Sequence, residues 1–224
     1  MEAVAGILAG TNAAPLSALA EAVDERQQTL ASLLVAARDG DADAFAGLVR
    51  HFQAPTYHFV LRMVRRPALA EDVAQEVFLR LWENLARIDD AGLLPAWLRR
   101  VATNAVIDHW RKEDSRRRRR EALREHPIAR HVVRPSARME SKEAVDAVRA
   151  AIETLPAKLR GVLMLRTVEG LSYEQIADTL DISVGAVRSR LFRARQELLV
   201  TLRRSQAADY LAAMYTGPDG DGIA

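Results

Sequence analysis

The residues best suited to chemistry are arginines crowded into one short stretch near the carboxyl end. Between Ser183 and Arg204, six arginines stand against the single acid Glu197, a local charge of +5. Helical spacing would place four side chains on one side of this stretch: Arg188, Ser189, Phe192 and Arg193. A guanidinium fork matches guanine O6 and N7 or a pair of phosphate oxygens, and a phenyl ring suits a thymine methyl. This face is predicted to read the major groove of DNA; the alternative is a solvated basic helix.

Two short helices joined by a tight turn must position that face. Ser172 and Gln175 have the spacing of a capping box, and Ser183 is a natural N-cap for the second helix. The turn falls at Asp181, where glycine is more usual, but aspartate tolerates the left-handed conformation that the turn requires. An apolar seam would pack the helices together: Ile176, Ala177, Leu180, Ile182, Val187 and Leu191. This pattern predicts a helix-turn-helix.

A second segment, predicted as a helix from Ala70 to Arg87, carries the opposite charge. Four apolar residues recur at four-residue spacing as its core stripe: Val73, Val77, Leu81 and Leu85. From Glu71 to Asp90 there are six acids against two arginines, a local charge of −4. Such a surface suits a basic protein partner, with Phe78 and Trp82 as aromatic anchors. Spacing alone favours the alternative, a solvated acidic face with both aromatic side chains in the core.

The next helix, predicted from Ala96 to Lys112, is basic and aromatic. It contains Trp97, Arg99, Arg100, Asn104, Asp108, His109, Trp110, Arg111 and Lys112. Basic residues interleaved with aromatic ones suit single-stranded nucleic acid, where bases stack and the backbone charge is neutralised. We expect Trp97 in the core and Trp110, near the helix end, to be more open.

The arginine run at Arg116 to Arg120 extends this positive charge into a poorly periodic segment. From Arg111 to Arg134 ten basic residues stand against four acids, a local charge of +6. The run either contacts phosphate or is merely solvated.

Composition bounds the fold and the function class. The chain has 224 residues, 49% of them apolar and 28% charged, which is a globular composition. It has no cysteine, which excludes disulfides and thiolate chemistry and points to the cytoplasm. The five histidines lack metal-ligand spacing and no phosphate-cradling glycine loop occurs, so we predict no catalytic residue, metal site or cofactor. Neither a secretory signal nor a membrane span is expected.

We predict an all-α fold of two small helical domains joined by a charged linker, because no stretch alternates as a strand. The predicted boundaries are residues 1–29 for an N-terminal extension, 30–113 for the first domain, 114–140 for the linker, 141–204 for the helix-turn-helix domain and 205–224 for a C-terminal tail. In the second domain, helices are predicted from Ser141 to Thr154 and from Pro156 to Gly170.

Three segments together resemble a bacterial RNA polymerase sigma factor of the extracytoplasmic-function type. They are DVAQEVFLRLW from Asp72 to Trp82, AWLRRVATNAVIDHWR from Ala96 to Arg111, and LSYEQIADTLDISVGAVRSRLFRARQEL from Leu171 to Leu198. A helix-turn-helix alone is shared by many regulators, but all three segments in this order are highly specific.

The resemblance implies a division of roles. Sigma region 2 would bind the polymerase clamp through Asp72, Gln75, Glu76, Phe78 and Trp82. It would also open the −10 promoter element and flip a base, using Arg99, Arg100, Asn104, Asp108, Trp110 and Arg111 with the loop at residues 88–95. Sigma region 4 would read the −35 element through Ser183, Arg188, Ser189, Phe192 and Arg193.

The same resemblance implies partners and leaves some questions open. The partners would be the clamp and flap of the large polymerase subunits, promoter DNA and an anti-sigma factor, and the chain would have no catalysis of its own. A stand-alone helix-turn-helix repressor or activator is the competing hypothesis, although an acidic aromatic helix has no obvious use there.

Promoter geometry constrains the linker. The two promoter elements lie on the order of two helical turns apart, roughly 70 Å. A linker of about 27 residues spans at most roughly 90 Å when extended and only about 30 Å as a random coil. We therefore expect polymerase to hold the linker extended.

Overall fold

The computed structural model describes residues 28–122 and 141–202, and every regular element within these ranges is helical. The predicted all-α class is confirmed. The predicted extensions and most of the predicted linker fall on residues 1–27, 123–140 and 203–224, which lie outside the described residues. The helices are α1 (residues 28–38), α2 (Ala42–Val64), α3 (Pro67–Asn84), α4 (Leu94–Ala122), α5 (Ser141–Thr154), α6 (Ala157–Thr167), α7 (Tyr173–Leu180) and α8 (Val184–Leu202).

Helices α1 to α4 form the N-terminal module, in which α2, α3 and α4 pack against one another. The Asp41 carboxylate caps α2 by accepting hydrogen bonds from the backbone N–H groups of Asp43 and Ala44, at 2.8 and 3.0 Å. Arg65 ends α2 in the left-handed conformation, with φ of 53°. Pro67 then starts α3, where its missing N–H costs no hydrogen bond.

Helix α3 has the predicted core stripe. Its apolar side chains at four-residue spacing, continued by the first residue of the following 3-10 turn (Leu85–Arg87), are all buried: Val73, Val77, Leu81 and Leu85. A second 3-10 turn, Ala91–Leu93, leads directly into α4, and the Asp90 side chain caps it by accepting from the N–H of Gly92. The loop between α3 and α4 is therefore short, and a 3-10 turn at each of its ends restricts its backbone.

Helix α4 continues past the predicted end at Lys112 and reaches Ala122, so the arginine run from Arg116 to Arg120 is helical. Its end is held by a buried carboxylate, since Asp114 is 7% exposed and lies 3.2 Å from Arg117. The sequence alone did not predict this continuation, because the segment is highly charged and shows little helical periodicity. Asp114 is stabilised by Arg160 of the C-terminal module, at 3.7 Å, and that contact depends on the tertiary fold.

Helices α5 to α8 form the C-terminal module, in which α5, α6 and α7 all contact α8. Helix α5 has the predicted limits, whereas α6 begins after Pro156, which is its N-cap, and ends at Thr167. Gly170 follows in the left-handed region, with φ of 66°, and lets the chain turn from α6 toward α7.

The helix-turn-helix is confirmed in its local detail. Ser172 Oγ accepts from the N–H of Gln175 at 3.2 Å, and Gln175 Oε1 accepts from the N–H of Ser172 at 2.9 Å, which completes the capping box. Ser183 Oγ accepts from the N–H of Ala186 at 3.2 Å at the start of α8. Asp181 adopts the expected left-handed conformation, with φ of 55°. The inner seam residues Ile176, Ala177, Val187 and Leu191 are buried, while Leu180 and Ile182 are half-buried.

The two modules touch. Helix α4 contacts both α6 and α7, and the buried apolar residues of both modules belong to one continuous cluster. Helix α4 therefore packs against helices of both modules.

The capping box gives a stability prediction. Ser172→Ala should lower the free energy of unfolding by about 1 kcal/mol, because the N–H of Gln175 loses its acceptor. Thr201→Ala is the matched control, since its hydroxyl only donates to the Glu197 carbonyl in an exposed part of α8, and it should change stability by less than about 0.5 kcal/mol. Urea unfolding of the full chain measures both; equal stability of the two variants would contradict the role of the cap.

Candidate functional site

The basic face of α8 is open to solvent, as the sequence predicted. All five residues assigned to this surface are exposed: Ser183, Arg188, Ser189, Phe192 and Arg193. Phe192 has no structural reason to be there, since a phenylalanine that is 59% exposed buries little apolar surface. Ser183 has a structural task as well, because its hydroxyl caps the same helix.

Helix α7 supports Arg188 from the side. The Arg188 guanidinium lies 6.0 Å from the centroid of the Tyr173 ring, and that of Arg166 lies 5.3 Å from the same centroid. The pKa of Glu174 is lowered, chiefly by a hydrogen bond to its own backbone N–H and by Ser172, with a smaller contribution from the charge of Arg188. Sequence analysis missed Tyr173, because only the fold brings α7 alongside the middle of this face.

The acidic face of α3 is also exposed, at Asp72, Gln75 and Glu76. Glu76 is partly neutralised by an ion pair with Arg80 one turn later. Spacing favoured a core position for Phe78 and Trp82, and for Trp82 that is wrong: its side chain is 47% exposed, while Phe78 is half-buried. Trp82 is held instead at the module surface by Phe45, edge to face, with ring centroids 4.8 Å apart.

Leu79 belongs to the same surface and was missed by the sequence analysis. It is 66% exposed. Helical spacing places it beside Asp72 and between Gln75 and Trp82, on the side opposite the core stripe. Its position opposite the core stripe is the sequence feature that could have identified Leu79 as exposed. The α3 surface thus combines carboxylates with two exposed apolar side chains, a composition suited to a protein partner.

Five of the six α4 residues assigned to the −10 element are half-buried or exposed. Arg99, Asn104 and Asp108 are half-buried, and Arg111 is exposed and pairs with Asp108 at 2.8 Å. Arg100 is also exposed, but its Nη2 donates to Asp181 of the helix-turn-helix turn at 3.0 Å. In the loop before α4, Leu93 projects into solvent with 59% exposure.

The expectation that Trp110 is open is wrong, while Trp97, expected in the core, is half-buried and packs against it. Trp110 is 5% exposed, whereas Trp97 is only partly buried at the edge of the core. Trp110 is covered by the Arg160 guanidinium of the other module, which lies 4.8 Å from its ring centroid. The helix end was expected to be open because the docking of the C-terminal module cannot be read from α4 alone.

Residues 28–122 and 141–202 contain neither a cluster of metal ligands nor a helix suited to a membrane. No group of three acidic or histidine side chains there could hold a metal ion. Across the same ranges, no helix combines the length and the apolar character needed to cross a bilayer.

The fold and these surfaces define a helical DNA-binding protein with two modules, one of which carries a helix-turn-helix. Comparison with known families matches residues 48–116 to sigma-70 region 2 and residues 146–198 to sigma-70 region 4. The chain belongs to the extracytoplasmic-function family of RNA polymerase sigma factors, and it is accordingly a promoter-specific factor for transcription initiation.

Two relatives of more than 30% identity show this membership. The chain is 34% identical over 173 residues to the ECF RNA polymerase sigma factor SigW of Bacillus subtilis, covering 74% of this chain and 92% of that protein. It is 32% identical over 166 residues to the ECF RNA polymerase sigma-E factor of Escherichia coli K12, covering 71% of this chain and 86% of the relative. Among solved structures, CnrH in complex with the cytosolic domain of CnrY aligns with a TM-score of 0.49 at 23% identity, over 78% of this chain and 97% of CnrH.

The exposed arginines of α8 lead to a prediction about salt. If about six phosphates are neutralised in the complex with duplex DNA, the logarithm of the association constant should fall with the logarithm of salt concentration at a slope of about −5. Fluorescence anisotropy of a labelled duplex at several salt concentrations measures this slope. An affinity that hardly changes with salt would contradict the charge argument.

Proposed function

We propose that this chain directs core RNA polymerase to its promoters by using oppositely charged surfaces for protein and for DNA. The acidic surface of α3 binds the polymerase, α4 and the loop before it engage the −10 element, and α8 reads the −35 element. The observation that carries this proposal is the outward presentation of both surfaces, each with an exposed aromatic side chain, Trp82 on α3 and Phe192 on α8.

The polymerase surface consists of Asp72, Gln75, Glu76, Phe78 and Trp82, to which we add Leu79. Exposed carboxylates would be repelled by DNA phosphates but complement a basic protein surface. The half-exposed indole of Trp82 offers a large apolar area. Phe45 already orients this side chain, so binding a partner costs little side-chain conformational entropy. In this proposal, the α3 surface binds the clamp of the large polymerase subunits and the C-terminal module binds the flap of those subunits.

The −10 surface consists of Arg99, Arg100, Asn104, Asp108, Trp110 and Arg111 together with the loop carrying Leu93. Arginines supply backbone neutralisation, while Asn104 offers both a donor and an acceptor for a base edge. Trp110 becomes available for stacking only when the C-terminal module moves away from α4, because Arg160 covers its ring. Strand opening at this element is assigned to the same surface.

The −35 surface consists of Ser183, Arg188, Ser189, Phe192 and Arg193. These residues lie on the outer face of the second helix of the helix-turn-helix, which is the helix that enters the major groove in proteins of this type. The structure leaves all of them exposed, so the duplex could reach them without rearrangement of α8.

The proposal includes three further assignments, for which membership of the family is the support. The protein acts in the cytoplasm, lends specificity to polymerase without catalysis of its own, and is held inactive by an anti-sigma factor until a stress signal arrives. A solved structure that aligns with this chain is that of the sigma factor RpoE in complex with the anti-sigma factor NepR from Bartonella quintana.

Gel-shift binding to promoter fragments, with and without core polymerase, tests the function as a whole. We expect specific binding to require the core enzyme. Tight specific binding of the free chain to a palindromic duplex would instead favour a stand-alone repressor or activator. Run-off transcription from a genomic library with purified core polymerase then identifies the promoters.

Substitution of the α8 arginines tests the −35 assignment. Arg188→Ala and Arg193→Ala should each cost about 1–3 kcal/mol at one promoter position and relax base preference there, because a bidentate contact is lost. Binding of holoenzyme to a library of −35 variants measures the preference. Retention of the original base preference by both variants would exclude these residues as readers.

Charge reversal on α3 tests the polymerase assignment. Glu76→Lys should weaken holoenzyme assembly, since it places a cation on a surface that meets a basic partner. Asp39→Lys is the matched control, with the same charge change at an exposed position of the same module outside α3. Size-exclusion chromatography with core polymerase distinguishes the two variants. Normal assembly by Glu76→Lys, with the circular dichroism of the wild type, would count against the assignment.

A further inference from the structure

A cavity of about 630 Å³ lies where the end of α2, the start of α3 and the second half of α4 meet α5 and α6. Sites for small molecules in proteins have volumes of about 300–1,000 Å³. We propose that this cavity binds a small amphiphile with one alkyl chain and one anionic head group, a carboxylate or a phosphate monoester. Of the residues assigned above to polymerase or DNA, only Trp110 lines it, so the site is a separate one.

The interior of the cavity is apolar. Buried or half-buried aliphatic and methionine side chains from both modules line it: Met63, Leu69, Val148, Ile152, Met164 and Val168. Methionine adapts its shape to irregular apolar ligands. Trp110 offers little free ring surface, because it is 5% exposed and the Arg160 guanidinium lies over it. This interior therefore suits an alkyl chain better than a nucleobase, which needs a stacking face.

Positive charge surrounds the apolar interior. Six arginines and three acids line the cavity, a surplus of three positive charges. The acid Glu113 is already paired with Arg66, at 2.9 Å. Arg65 and Arg120, by contrast, are exposed, and their side chains form no ion pair with another described residue. These two guanidinium groups are available to bind an anionic head group at the opening of the cavity.

Arg160 adds a buried cation whose charge is incompletely balanced. Its side chain is only 8% exposed, and the Asp114 carboxylate lies 3.7 Å away, too far for a hydrogen bond. The Arg160 Nε is buried and has no acceptor among the described residues. Burial lowers the pKa of Arg160, and the charge of Asp114 offsets this only in part. A perturbed, buried charge in a cleft is typical of a ligand site, and an anion in the cavity would stabilise this cation.

The size of the cavity argues against a helical segment of a partner protein. Two turns of an α-helix are about 11 Å long and about 10 Å wide, which is a volume of roughly 850 Å³ and exceeds that of the cavity. A single alkyl chain is narrower. It also has no backbone polar groups that an apolar interior would leave unsatisfied.

Calorimetric titration of the full chain with dodecanoate, below its critical micelle concentration, tests the site without polymerase or promoter. The site therefore stands or falls independently of the proposed function. We expect one saturable site per chain and a Kd roughly ten-fold lower than that of decanoate, which lacks two methylenes. Dodecyl phosphate in parallel shows which anionic head group binds more tightly. Dodecyltrimethylammonium, with the same chain and a positive charge, should bind more weakly than both. Equal binding of this cation, or no saturable binding of either anion, would overturn the proposal.

Filling the cavity tests where the chain binds. Ile152→Trp in α5 and Val168→Trp after α6 should each raise the Kd of dodecanoate at least about ten-fold, because the indole occupies the space of the alkyl chain. Val200→Trp is the matched control, since Val200 is an exposed aliphatic residue of α8 that does not line the cavity. Unchanged binding by a filling variant with the circular dichroism of the wild type would overturn the assignment of the cavity.

Neutralising the opening tests where the head group binds and leaves the interior intact. Arg65→Asn combined with Arg120→Gln should raise the Kd of dodecanoate about five- to ten-fold, because two charge-assisted contacts are lost. Asparagine tolerates the left-handed backbone at position 65, where φ is 53°. Arg119→Gln is the matched control, because Arg119 is exposed on α4 next to Arg120 but does not line the cavity. An equal effect of the control, or no effect of the double variant, would overturn the proposed recognition of an anion.

Discussion

The structure depends on the burial of α4 on two sides. On one side Ala105 lies beside Val73 of α3, and on the other Ile107 and Trp110 face Gly161 and Arg160 of the C-terminal module. A helix buried on two sides cannot show the clean amphipathic pattern of a surface helix. One of its arginines, Arg100, pairs across the two modules with Asp181.

Double burial also bears on the proposed −10 surface. Two of its residues, Arg100 and Trp110, contact the C-terminal module through Asp181 and Arg160. The surroundings of α4 are therefore set by both modules, and neither module alone accounts for its burial.

The charge distribution follows the same logic at longer range. Net charge is only +2, yet α3 is acidic and α8 is basic on the outside. Segregation of this kind orients each surface toward a different class of partner and disfavours wrong pairings. Among the described residues, the buried charged side chains are those of Asp114 and Arg160, which face each other across the two modules.

The sequence alone determined the features that depend on neighbours within a few residues. The capping box at Ser172, the left-handed Asp181, the core stripe of α3 and the exposed face of α8 all follow from local hydrogen bonding and helical spacing. The tertiary structure decided the rest. It buried Trp110, exposed Trp82 and extended α4 to Ala122. Each of these outcomes depends on a side chain far away in sequence, and helical periodicity identifies the buried side of a helix but not what covers it.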